Sequence, residues 1–185
     1  MARSDRVLRR VRFAYERARV LDGARGLAIA AGVCVLAVGL HRITSTSWLV
    51  AGLLAASLGA LGWRGGSVRR GAFAGVLAGL PPLIVPSIVY ALSQHGHCAG
   101  CGTAAAWPCM LSCIATSTAV GMLVGHRAAR DASPRQFAVS AIATASLTGL
   151  LGCGTVGLGG AIGVVFGLVA GGVTGWVVRG RTAAA

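Results

Sequence analysis

Along the chain, long uncharged runs alternate with short clusters of arginine. The first run is "GLAIAAGVCVLAVGLH", Gly26 to His41, and the second holds "WLVAGLLAASLGALGW". From Gly71 to Gly125 there is no Asp, Glu, Lys or Arg, a length that accommodates two helices around a loop. Gln136 to Val178 is again uncharged over 43 residues. As one helix it would reach roughly 65 Å, about twice the hydrocarbon thickness of a bilayer. It therefore folds back, and "GLLGCGTVGLGG" supplies the break. The pattern predicts an all-α integral membrane protein, a bundle of six transmembrane helices over about 26–42, 47–63, 71–92, 107–125, 136–152 and 156–178. A basic segment, 1–25, precedes this domain (26–178), and a tail, 179–185, follows it. The first run is read as a retained span, because a long basic segment precedes it and no small-residue cleavage site follows.

Composition agrees. Charged residues make up 11% of the chain, against about 25% in an ordinary soluble domain. The net charge of +13 comes from 17 basic residues, all arginine, and nearly all stand at the ends of apolar runs. Nucleic-acid modules instead array basic side chains on a soluble face, so no nucleic-acid partner is expected. The lack of Lys beside abundant Ala and Gly points to a GC-rich bacterial genome.

Sixteen arginines fall on one side of the predicted spans and only Arg42 on the other. The positive-inside rule then puts both termini in the cytoplasm and the chain in the bacterial inner membrane. The stretch "SDRVLRRVRFAYERARVL" collects Val7, Val11, Ala14, Tyr15, Ala18 and Leu21 near one side of a helix. Its expected partners are the anionic lipids of the inner leaflet or, as a sharper alternative, an acidic cytoplasmic protein.

Small residues recur every fourth position. Span six has Gly159, Gly163, Gly167, Gly171 and Gly175; span three has Gly71, Gly75 and Gly79; span five has Ala141, Ala145 and Gly149; span four has Cys109, Cys113, Ser117, Gly121 and Gly125. Such glycine-zipper faces let helix backbones approach, which is how helices associate in lipid. Cys109, Cys113 and Cys153 are thereby expected to point into the bundle. Pro81, Pro82 and Pro86 are expected to kink or break span three.

The candidate chemistry lies in "HGHCAGCGTAAAWPCMLSC", His95 to Cys113, which holds four of the six cysteines and two of the four histidines. The predicted threading places this loop outside the cytoplasm, together with Cys153. Three functions compete. The first is a soft-metal site, for Zn or Cu(I), drawing ligands from His95, His97, Cys98, Cys101, Cys109, Cys113 and Cys153, in a sensor, sequestering or transport-accessory protein. The second is thiol–disulfide chemistry with Cys98 and Cys101 as the reactive C-x2-C pair, in a compartment that is oxidising. The third is a structural or signalling subunit whose disulfides pin the outer loops. No span carries Asp or Glu, and no phosphate-binding, zincin or nucleophile-elbow motif is present, so catalysis is not the expectation.

Overall fold

A computed structural model describes residues 2–40, 45–95, 106–153 and 158–182, and among these residues the chain is entirely helical apart from two turns. The helices are α1 (Ala2–Leu40), α2 (Ser45–Arg64), α3 (Gly66–His95), α4 (Ala106–Ala128), α5 (Pro134–Cys153) and α6 (Leu158–Thr182). Each predicted run has its helix. Three of them, over Arg12–Leu40, Gly66–Pro86 and Gly160–Gly180, are long and apolar enough to cross a membrane.

The helices associate as three pairs. α1 and α2 run antiparallel: Gly26 abuts the Leu58 carbonyl, where a Cβ would come within 2.7 Å of the oxygen, and Gly62 lies against Asp22. α3 and α5 run parallel, with Gly71 opposite Phe137 and Ser140, Gly75 opposite Ala141 and Thr144, and Gly79 opposite Ala145 and Thr148. α4 and α6 are also parallel, Gly163 meeting Ile114, Gly167 meeting Ser117, and Gly171 meeting Thr118 and Met122. The glycine series of spans three and six are thus seams within one chain. Two apolar clusters fill the bundle. One joins α4, α5 and α6 around Val124, Phe137, Ala141 and Leu168; the other joins α1, α2, α3 and α5 around Ala30, Leu54, Leu58, Val76 and Leu83. The outward surface is apolar too, carrying Leu49, Leu77, Leu123, Val139 and Phe166 among its exposed side chains.

First, α3 passes through Pro81, Pro82 and Pro86 as one helix. Pro82 is buried in the packing, its ring beside Gly149 of α5, and neighbouring helices of this kind let a membrane helix tolerate proline. Second, Gly65 and Gly66, with φ of 71° and 62°, make the whole turn between α2 and α3. Only glycine adopts that left-handed conformation twice in succession without steric cost. Third, α1 is unbroken from the basic segment into the first apolar run, so the boundary anticipated at residue 25 falls inside one helix. Gly23 and Gly26 stand singly in its interior, where they admit the α2 backbone, and the segment has no proline to end it.

The turns at one end of the bundle gather the charges. The Asp22 carboxylate accepts from Arg25 at 3.4 Å and from Arg69. The next residue, Arg70, reaches the other way, to Asp131 at 3.1 Å in the α4–α5 turn. Within that turn the Ser133 amide donates to Asp131 Oδ1 at 3.1 Å, the Ser133 carbonyl accepts the first bond of α5, and Pro134 opens the helix, where a missing N–H costs nothing. The Ser67 hydroxyl and the Ser133 amide, with Arg70, hold the Asp131 carboxyl below its ordinary range. Three of the four acidic residues are spent here or on α1, where Glu16 accepts from Arg12 at 3.2 Å.

Candidate functional site

The opposite end of the bundle is the cysteine end. α3 terminates there at His95, α4 begins at Ala106, α5 terminates at Cys153 and α6 begins at Leu158. The antiparallel course of α5 and α6 brings these ends together, since Gly149 meets Val164 while Gly172 meets Ile142 further down. Pro108 falls in the first turn of α4, as its missing N–H and fixed φ favour. Cys109 follows in that same turn.

One of the candidate cysteines has a described side chain. Cys113 lies one turn deeper in α4, has no solvent exposure, and is disulfide-bonded. It sits in the cluster shared by α4, α5 and α6 with Val164 and Leu168. The expectation that Cys113 points into the bundle is met, because it continues the line Ser117, Gly121, Gly125 that packs on α6. His97, Cys98 and Cys101 lie outside the described residues, and so do the side chains of His95, Cys109 and Cys153. Cys34, half-buried in the C-terminal part of α1, is a free thiol. Among the described residues no three His, Cys, Asp or Glu side chains form a group suited to a metal ion.

Below Cys113 the helix carries hydroxyls. Thr116 donates to the Ser112 carbonyl at 2.6 Å, and Thr118 to the Ile114 carbonyl at 2.8 Å. Such bonds to the preceding turn satisfy a hydroxyl within its own helix. Ser117 does not do this. It is fully buried against Gly167 of α6, and its hydroxyl has no hydrogen-bond partner among the described residues. A buried hydroxyl without a partner costs roughly 1–3 kcal/mol. The sequence pattern places Ser117 on the seam; what it does not reveal is that this hydroxyl, alone among its neighbours, is unpaired.

In its described state this end therefore presents an oxidised, buried sulfur on α4, one turn from Cys109 and followed by an unpaired hydroxyl. An oxidised cysteine is neither a thiolate nucleophile nor a thiolate ligand. The chemistry open to Cys113 is thus disulfide chemistry until a reductant reaches it. Compared with known protein families, with curated proteins and with solved structures, the chain matches none.

Proposed function

We propose that this chain is a six-span protein of the bacterial inner membrane, both termini in the cytoplasm, whose extracytoplasmic end works by thiol–disulfide exchange. The disulfide at the buried Cys113 is the observation that carries this reading. The membrane assignment draws on the three long apolar helices, the apolar outward surface and the glycine seams. The orientation draws on the sixteen-to-one placement of arginine.

In the exchange, a thiolate of the Cys98–Cys101 pair attacks one sulfur of a disulfide and a mixed disulfide forms. The second thiolate then displaces the first partner. One dithiol and one disulfide become one disulfide and one dithiol, so the exchange itself needs no outside electron acceptor. Cys109 does not serve as the partner of Cys113. Residues four apart on a helix hold their Cβ atoms about 5–6 Å apart, whereas a disulfide needs about 3.5–4.5 Å. With Cys34 free and the Cys98–Cys101 pair held as the attacking dithiol, the partner of Cys113 in this proposal is Cys153.

A second reading rests on the imidazoles. His95 and His97 immediately precede the C-x2-C pair, and a disulfide staple has no use for them. With the cysteines reduced, His95, His97, Cys98, Cys101, Cys109, Cys113 and Cys153 offer more than the four ligands that Zn or Cu(I) takes. One preparation separates the readings. The chain is purified in detergent without reductant, its free thiols are counted after denaturation, and bound metal is measured by elemental analysis. Blocked thiols, released by dithiothreitol and re-formed on transfer to a disulfide-bearing peptide substrate, support exchange. Stoichiometric metal with free thiols supports the metal centre. Blocked thiols that transfer to nothing reduce the disulfide to a pin for the outer loops.

A further inference from the structure

α1 is longer than its work in the bundle requires. Its packed line is Gly23, Gly26, Ala30, Val33 and Ala37, all buried. Before Gly23 that line is continued by Asp22 and Arg19, which fasten the helix where it leaves the other helices. Arg19 Nε donates to the Trp63 carbonyl at 2.9 Å, with its guanidinium 5.7 Å from the Trp63 ring centroid and 5.3 Å from that of Tyr15. Asp22 is held by Arg69 and Arg25. Beyond these pins the helix continues to Ala2, and Arg10 and every residue from Arg12 to Ala18 are exposed.

The projecting segment carries a second pattern, distinct from the packed line. Val7, Val11, Ala14, Ala18 and Leu21 are spaced four, three, four and three apart, the a/d spacing of a helix that pairs with another helix. At 100° per residue this stripe lies about a third of a turn from the packed line, so it is not a continuation of the bundle seam. Arg3, Arg10 and Arg17, seven apart, border it on one side. From residue 2 to residue 21 there are seven arginines and two acidic residues.

We propose that residues 7–21 of α1 are a docking seam for one acidic, amphipathic helix of a soluble protein. Charge complementarity selects that occupant. A second copy of the arm would set arginine against arginine. A lipid surface would require the arm to fold flat, against the unbroken helix and the pins at Arg19 and Asp22. The partner pairs apolar a/d residues with the stripe and glutamates with Arg10 and Arg17, the border charges that decide pairing in coiled coils. Only its cellular location rests on the proposed orientation, and the test below does not depend on that orientation.

The full chain is placed in nanodiscs of neutral phosphatidylcholine. The probe is a fluorescent three-heptad peptide with Leu at a and d and Glu at e and g, followed by anisotropy. Saturable binding is expected, tighter than that of a polyglutamate of equal length. Arg10→Glu with Arg17→Glu is expected to weaken it by about tenfold and to shift preference to a peptide with Lys in place of Glu. Ala14→Gln with Ala18→Gln, which keeps helix-forming residues, is expected to reduce binding to the polyglutamate level. The proposal is overturned by no saturable binding, by binding indifferent to either pair of substitutions, or by equal binding of a peptide copying residues 2–21. Loss of binding when the nanodisc lipid is anionic phosphatidylglycerol would likewise overturn it, in favour of the membrane surface.

Discussion

The α3·α5 and α4·α6 seams are built on one plan and differ in how they treat hydroxyl groups. Both are parallel, and both bring backbones together over glycines four apart. On α5, Ser140, Thr144 and Thr148 face the glycines of α3, and each donates to the carbonyl one turn back, at 2.8–2.9 Å. Thr144 Oγ1 also lies 3.0 Å from the Ala72 carbonyl, a link across the seam. On α4 the corresponding buried hydroxyl, Ser117, finds no partner among the described residues. Close glycine packing therefore supplies proximity in both seams, while the α3·α5 seam adds a hydroxyl link from one helix to the other.

The harshest way to break both is to fill the glycine line. A Cβ at Gly75 would collide with the Ala141 carbonyl, and one at Gly171 with the Thr118 carbonyl. Because backbone cannot step aside as a flexible side chain does, Gly75→Leu and Gly171→Leu are each expected to cost about 3 kcal/mol or more, read as loss of the folded fraction in detergent. Cys113→Ala comes next. It is expected to lose about 2–4 kcal/mol and to abolish the response to dithiothreitol that the unaltered chain shows in a thermal melt.

Two smaller substitutions sharpen the contrast by their sign. Thr144→Val removes the link across α3·α5 and is expected to destabilise by about 0.6 kcal/mol, up to about 1.7, while Thr144→Ser restores stability. Ser117→Ala deletes an unpaired hydroxyl and is expected to be neutral or stabilising in the same melt. A destabilising Ser117→Ala would mean that this hydroxyl has a partner after all. The mildest effect is at the charged end. The Asp131 carboxyl is held below its ordinary range, so its contribution is complete above the unfolded value of about 3.9. It is lost as pH falls through the lower folded value. Melts taken from pH 5 downward are expected to lose part of their acid sensitivity in Asp131→Asn.

Much of this architecture is legible in the residue order, and the reason is periodicity. The apolar runs locate all six helices to within a few residues, except at the start of α1. The four-residue spacing of Gly163, Gly167, Gly171 and Gly175 marks a packing face, yet it cannot say that α4 is the helix received there. That depends on which partner offers Ile114, Ser117 and Thr118 at the matching heights. Arg69 and Arg70 read as mere topology signals in the sequence. Their opposite reach, to Asp22 and to Asp131, follows from the 100° between neighbouring helix positions once α1 and the α4–α5 turn stand on either side. At the cysteine end, spacing nominates the residue types but not the oxidation state of Cys113, because bond formation between distant cysteines is a property of the folded helices.

The uninterrupted course of α1 has a mechanical consequence. A rod of 39 helical residues is about 58 Å long, and it has no joint at which twist or tilt can dissipate. A rotation imposed at Ala37 reappears through the same angle at Ala14, and a small tilt inside the bundle becomes a larger sideways sweep at the free tip.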